Sequence, residues 1–321
     1  MSLMVRLDTN MRNYKIEYTG FRNKFVINFG KTIKSETKLC SFVYPYSVIK
    51  YSKLKKISNK KDKYLYNFAI CAIFKNEALY LKEWIEYHKF IGVDKIYLYN
   101  NNSTDNYYEV LKPYIKKIVI LKNFPGKEKQ MDAYNDCLMR YKYKAKYIAF
   151  IDIDEFLFER NNKLLEKVNH IFDKNSNIAG VQLNWKIFGS SHQEKYVDEP
   201  VTKRFIYSSN KDFSVNKHTK SIVNPRKVVC IANPHYAIYV ENYYAVNADG
   251  KIISNNAMNE DINDNLRVNH YFTKSKDEFV LKIQRGTADG YPTRSMELFE
   301  SHDKNDVYDD SMKIFYENYK K

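Results

Sequence analysis

Residues 147–158 read Y-I-A-F-I-D-I-D-E-F-L-F, and the fold of the chain is decided by how this stretch is read. Its first half is dense in β-branched and aromatic residues, the composition of a strand buried on both faces of a sheet. Asp152, Asp154 and Glu155 follow at the C-terminal end, with apolar residues on either side. Carboxylates in such surroundings are costly to desolvate unless a charge compensates them, and a divalent cation is one such charge. Period-two alternation sets Asp152 and Asp154 on one face, so two hard oxygen ligands converge where Mg²⁺ or Mn²⁺ could bridge them to a diphosphate. Open α/β sheets bind ligands at the C-terminal ends of their strands. A competing reading, in which the acids cap the helix starting near Lys163 or form a solvated turn, needs no ligand.

Working outward toward the N-terminus, N-F-A-I-C-A-I-F (67–74) reads as a buried strand followed at once by K-N-E. Leu81, Trp84, Ile85, His88 and Ile91 then recur at helical spacing, and Gly92 stops that helix. On this stripe His88 reads as a satisfied core histidine. A strand K-I-Y-L-Y (95–99), a turn N-N-N-S-T-D (100–105), a helix to about Tyr114, a strand I-V-I-L (118–121) and a helix over 127–143 complete the run. Four strands alternating with three helices predict a parallel sheet with right-handed crossovers. Neither G-x-G-x-x-G nor G-x-x-x-x-G-K-[ST] occurs, so a bound nucleotide has to be held by side chains such as Asn76, Asn100 and Asp105.

Beyond Glu159 the alternation loosens. A helix over 163–172 precedes strand-like runs at 178–185, 202–207, 221–223, 227–231 and 266–272, with helices over 276–285 and near 309–319. This half predicts a mixed sheet carrying long loops, where binding function often resides. Residues 1–66 read as an N-terminal extension with two short strands, I-E-Y and K-F-V-I-N-F, and a lysine-dense stretch from Lys50 to Lys63. Residues 67–321 read as one α/β domain.

A 44% hydrophobic content excludes disorder as the overall state, and 53 Lys+Arg against 38 Asp+Glu give +15, which favours a polyanionic partner. The lysines are spread along the whole chain and no nucleic-acid-binding signature accompanies them, which argues against nucleic acid as that partner. Cys40, Cys71, Cys137 and Cys230 lie far apart without a C-x-x-C pair and read as reduced residues of a cytosolic protein. No apolar run reaches the length of a spanning helix. The expectation is a cytoplasmic protein, at most peripheral at the inner membrane face, where the 50–63 lysines would meet anionic lipid.

K-N-E-A-L-Y-L-K-E-W-I-E-Y-H (75–88), Y-N-N-N-S-T-D-N (99–106), F-I-D-I-D-E-F-L (150–157), N-W-K-I-F-G-S-S (184–191) and N-H-Y-F-T-K-S (269–275) together resemble glycosyltransferase family 92 and its bacterial relatives among the family 2-like GT-A enzymes. The resemblance spans about Phe68 to Tyr308. It implies a GT-A fold, with a Rossmann-like, mainly parallel central sheet flanked by helices and a mixed-sheet C-terminal half. It also implies transfer of a sugar from a nucleotide-sugar, usually a UDP-sugar, with Mn²⁺ or Mg²⁺, to a glycan or lipid-linked saccharide. Carried over residue by residue, Lys75, Asn76, Glu77, Asn100, Asp105, Gln130, Asn135, Asp152 and Lys274 are implied donor contacts, and Asp154 is the implied metal ligand. His270 is the implied further ligand, with His235 its rival; an imidazole ligand favours Mn²⁺ over Mg²⁺.

Trp185, Phe188, Ser190 and Ser191 suit an acceptor sugar, the aromatics by stacking. Lys274, Lys276, Lys282 and Arg285 are candidates for the diphosphate. An inverting enzyme needs a base for the acceptor proton. With Asp152 and Asp154 committed to the donor, that base falls among Glu194, Asp198, Glu260 and Asp261, with Glu194 preferred. A retaining enzyme needs none of them. The alternatives are an inactive GT-A-like scaffold, a polyanion-binding protein, and a metal-dependent phosphohydrolase that would need further His and Asp ligands.

Overall fold

A computed structural model of the chain describes residues 64–254, 256–286 and 294–319, together with the backbone of four N-terminal strands, β1 (Val5–Thr9), β2 (Arg12–Thr19), β3 (Lys24–Asn28) and β4 (Thr32–Ile33). These pair antiparallel in sequence order; the expected strand I-E-Y falls within β2, and the first five residues of K-F-V-I-N-F form β3. The lysine-dense stretch 50–63 and Cys40 lie outside the described residues. Cys71, Cys137 and Cys230 are buried. Among the described residues no helix is long and apolar enough to cross a membrane.

The first half follows the predicted alternation: β5 (Tyr66–Phe74), α1 (Ala78–Phe90), β6 (Lys95–Asn100), α2 (Tyr107–Leu111), β7 (Val119–Asn123), α3 (Gln130–Tyr141) and β8 (Ala145–Phe150). β5 pairs parallel with both β6 and β8, and β6 pairs parallel with β7. α1 turns Leu81, Trp84, Ile85 and His88 into the core because they share one helical face. His88 is fully buried and neutral in bonding: Nδ1 lies 2.8 Å from the Trp84 carbonyl and Nε2 accepts from the Leu157 amide at 3.4 Å. Burial pushes its pKa down to about 3.

The strand expected to open the stretch 147–158 is β8, but Asp152 and Asp154, expected on one face of its continuation, lie in a turn beyond it. The chain leaves the sheet at Ile151, turns through Asp152–Asp154 with the Glu155 amide donating to the Asp152 carbonyl (3.2 Å), and re-enters as β9 (Glu155–Glu159) at the far edge. After α4 (Leu164–Asp173) comes β10 (Ile178–Ile187), the long strand of the second half.

The expected strand 202–207 is instead a helical turn, α5 (Val201–Arg204), and a two-residue strand, β11 (Tyr207–Ser208). The turn forms because the buried Glu83 carboxylate of α1 accepts from the Val201 amide (2.7 Å), the Thr202 amide (2.9 Å) and the Thr202 hydroxyl (2.7 Å), saturating the start of a helix from a distant element. β12 (Thr219–Val223), β13 (Val228–Ile231), β14 (Ala237–Tyr239), β15 (Tyr244–Asn247) and β16 (Leu266–His270) follow. The chain closes with α6 (Lys276–Arg285), α7 (Met296–His302), β17 (Val307–Tyr308) and α8 (Lys313–Tyr319), where one helix from about 309 was expected.

The nine-stranded sheet runs β7-β6-β5-β8-β12-β10-β16-β9, with β15 also beside β10. β12 is antiparallel to both β8 and β10, and β16 is parallel to β10 and antiparallel to β9. A parallel half is thus joined through β12 to a mixed half, the architecture the resemblance implies. Gly180 of β10 is fixed by the close approach of β14, since a Cβ there would lie 2.0 Å from the Tyr239 hydroxyl oxygen.

Candidate active site

The turn between β8 and β9 delivers Asp152 and Asp154 to a cavity of about 350 Å³, bordered by the end of β5, by β10, β12 and β16, and by α6. Asp152 is held on both oxygens. Its Oδ1 accepts from Gln130 Nε2 (2.7 Å) and the Tyr134 hydroxyl (3.1 Å), and its Oδ2 from Lys220 Nζ (2.7 Å). Burial would raise this carboxyl, but Lys220 holds it below the ordinary carboxylate range. Lys220 Nζ also reaches Glu155 Oε2 at 3.2 Å. Glu155 is fully buried, and burial pushes it up to about 8 against the pull of Lys220. Its Oε2 accepts from the Asp152 amide (2.9 Å), so the third acid of the motif braces the turn and does not line the cavity.

Asp154 faces a different set of groups. Its Oδ2 accepts from Lys282 Nζ at 2.5 Å, and its Oδ1 lies 3.6 Å from His270 Nε2. Burial opposes its ionisation, yet Lys282 and His270 hold it well below the usual range. Burial brings His270 down to about 4 and Lys282 to about 7. Lys282 also donates to the Phe272 carbonyl (2.7 Å).

A separation of 3.6 Å is long for a hydrogen bond, and a carboxylate oxygen beside a neutral imidazole nitrogen is a donor pair of the kind Mn²⁺ accepts. Asp154 and His270 therefore fit a divalent ion as a pair. Among the described residues no group of three or more His, Cys, Asp or Glu side chains gathers to hold a metal, so remaining positions would fall to diphosphate and water oxygens. The rival histidine, His235, bonds the Thr219 carbonyl through Nδ1 (2.8 Å) and packs against Trp185 at 5.2 Å between ring centroids.

Lys75, Glu77, Gln130, Asp152 and Arg285 all border the cavity. Glu77 pairs with Arg285 at 2.5 Å. Asn76 takes a left-handed backbone (φ 52°) and accepts from the Thr104 amide (2.7 Å), while Asp105 Oδ2 accepts from the Ala78 amide (2.8 Å). The two βα turns are thereby laced together beside the cavity, bordering an adjoining groove of about 480 Å³ that also contains Lys274. Lys274 is buried with its ammonium 4.1 Å from the centre of the Tyr80 ring.

Asn100 and Asn135 lie outside the cavity lining. Asn100 bonds Ser103, Tyr107 and Asn123, and Asn135 bonds the backbone of Met131 and Ile231.

Of the residues expected to meet an acceptor, Trp185 lines the cavity. Phe188 is buried against Tyr271 (4.7 Å), Ser190 bonds Asp303, and the Ser191 hydroxyl accepts from the Ile206 and Tyr207 amides. These three build the loop that supports the site. Glu194 and Asp198 are exposed outside the lining, Lys276 is exposed, Glu260 pairs with Lys217 (2.6 Å) and Asp261 with Lys251 (3.2 Å).

Sequence reasoning missed Tyr134, His218, Lys220 and Arg294. For Lys220 a signal existed: a lone lysine in a strand whose other residues are all buried needs an anionic partner.

Comparison with known proteins places these features in context. The family model described as glycosyltransferase family 92 matches residues 66–298. The glycosyltransferase family 92 protein Os08g0121900 of Oryza sativa subsp. japonica is 29% identical over 162 residues, 50% of this chain and 27% of the rice protein. The β-1,4-galactosyltransferase galt-1 of Caenorhabditis elegans is 27% identical over 252 residues, 70% of this chain and 53% of that protein. The chain thus matches between about a quarter and a half of the length of these relatives. Among solved structures, S. aureus TarS 1-349 aligns at 14% identity and a TM-score of 0.34, over 49% of this chain and 47% of that one.

Proposed function

Because the chain belongs to glycosyltransferase family 92, we propose that it transfers a hexose from a UDP-sugar to a hydroxyl of a glycan or lipid-linked saccharide, with inversion at the anomeric carbon and with Mn²⁺ or Mg²⁺ held by Asp154 and His270. The observation that carries this reading is the pairing of Asp154 Oδ1 with His270 Nε2 at 3.6 Å in a cavity whose other walls carry Lys220, Arg285 and Arg294. Two ligands beside three fixed cations suit a diphosphate. The nematode relative is named as a β-1,4-galactosyltransferase, and a β-linked product from an α-linked UDP-hexose requires inversion. When bound, the cation would neutralise the departing diphosphate.

The chain's own groups do the rest. Gln130, Tyr134 and Lys220 fix the Asp152 carboxylate toward the donor. The ammonium of Lys282 lies on Asp154 beside the cation position and would move onto a phosphate oxygen. Arg285 is set by Glu77 at the mouth between the cavity and the adjoining groove, and Trp185 offers a flat face for a sugar ring.

The test is a screen of UDP- and GDP-hexoses for hydrolysis, and for transfer to 1,4-β-linked galacto-oligosaccharides, with MnCl₂ and with EDTA. Turnover of a UDP-hexose that EDTA suppresses is expected. Turnover of a GDP-sugar alone, or undiminished activity in excess EDTA, would overturn the donor or the metal assignment respectively.

A further inference from the structure

Inverting transfer needs a proton acceptor at the incoming hydroxyl, and the acids bordering the cavity are all engaged. Among the described residues those acids are Glu77, Asp152 and Asp154, held by Arg285, Lys220 and Lys282. The exposed Glu194 lies outside the lining. A different group is placed for the task. His218 borders the cavity just after the helical turn Ser214–Lys217, and its Nδ1 lies 3.1 Å from the Val215 carbonyl. A carbonyl accepts only, so that contact puts the proton on Nδ1 and leaves the lone pair on Nε2.

The ring stacks on Trp185 at 5.1 Å and 24°, and the same indole packs against His270 at 4.4 Å and His235 at 5.2 Å. Trp185 therefore links His270 to His218 by ring contact. Its Nε1 is buried without a hydrogen-bond partner among the described residues. His235, 5.3 Å from His218, is similarly held through Nδ1 but is pushed down to about 3 by burial and by Lys220, which leaves it a poor base.

We infer that His218 Nε2 is the base that takes the proton of the acceptor hydroxyl, with the Trp185 indole stacked against the imidazole to hold it. This rests on the inverting-transfer reading above. In the step, the acceptor O–H proton passes to Nε2 and the oxygen lone pair forms the bond to the anomeric carbon. The bond from that carbon to the phosphate oxygen breaks with its electron pair, leaving the nucleoside diphosphate. The imidazolium then returns its proton to water.

The experiment compares wild type with H218A, H218Q and E194Q, using UDP-galactose, MnCl₂ and 1,4-β-linked galacto-oligosaccharides, with UDP affinity measured by calorimetry. H218A and H218Q should lose transfer by about 10²–10⁴-fold in kcat, the range for a missing general base, with UDP affinity unchanged. Added imidazole should restore part of the activity of H218A, which a purely structural role would not permit, and E194Q should remain active. Undiminished transfer by H218A, a parallel loss of UDP affinity without imidazole rescue, or a loss confined to E194Q would each overturn the assignment. If H218A remains active while D154N is dead, the transferase reading survives and the His218 role does not. A wild-type protein that neither binds UDP nor turns over UDP-galactose removes both.

Discussion

The segment leading from the Trp185 strand is pinned to α6 by one buried ion pair, and its removal is a quantitative test of how the site is held. Arg204 donates to Glu278 through Nη1 (2.7 Å) and Nη2 (2.8 Å), and the two side chains are 2% and 1% exposed. Glu278 also accepts from the Ser275 hydroxyl (2.6 Å) and the Tyr80 hydroxyl (3.0 Å), so it stays in place when Arg204 is removed. R204M then strands a buried carboxylate, at a cost of about 3–5 kcal/mol. For a domain of this size each kcal/mol lowers Tm by about 2–4 °C, so a fall of roughly 6–20 °C is expected by calorimetry or circular dichroism.

Replacing both partners with apolar residues of similar size, R204M/E278L, should recover most of that loss, because a well-packed apolar pair often matches a buried ion pair. Activity should fall in R204M, since α6 carries Arg285 to the cavity and Lys282 to the adjoining groove, where it holds Asp154. The reasoning is refuted if R204M costs less than about 1 kcal/mol, or if the double variant is no more stable than the single one.

D154N should fold normally and lose transfer; wild-type activity in that variant would remove Asp154 from the chemistry. H270Q should raise the Mn²⁺ concentration needed for half-maximal activity by about tenfold or more, and the same rise in H235Q but not H270Q would exchange the two histidines. Acid should destabilise the protein through His88, because a histidine whose pKa falls from about 6.5 unfolded to about 3 folded contributes stability above pH 6.5 that is lost as pH falls. Between pH 7 and pH 4 the loss from this one ring is about 3 kcal/mol. Urea midpoints for H88F should be lower at pH 7 yet vary less over that range, and an equally steep dependence in H88F would assign the acid sensitivity elsewhere.

The β5-to-β8 half was legible because each of its elements announces itself locally: apolar runs for the strands, the Leu81–Trp84–Ile85–His88 stripe for α1, Gly92 for its end. The turn at Asp152–Asp154 was not, since period-two spacing carried the two acids on as a continuation of the strand before them. What breaks the strand is distant, the pairing of Phe156 and Leu157 with Asn269 and Val268 of β16. α5 was hidden for a similar reason, its cap being Glu83 from another part of the chain. The acids themselves were visible from spacing alone, whereas their partners Lys220 and Lys282 could be tied to particular oxygens only once the sheet order was known. Asn100 and Asn135 were drawn toward the site by position in the chain, while their side chains bond turns and strand ends outside the cavity.

The separation of β8, inside the sheet between β5 and β12, from β9, at its edge, also sets an order of events in folding. β5, β6, β7 and β8 find one another through short crossovers, so the half that presents Asp152 can close early in chain growth. β9 has no such neighbour: its partner is β16, and the loop between them must be closed against a larger loss of chain entropy. β16 also brings His270, and α6 just beyond it brings Lys282. A chain emerging from the ribosome therefore holds its two acids before it holds the groups that neutralise them, Lys220 of β12 for Asp152 and Lys282 of α6 for Asp154.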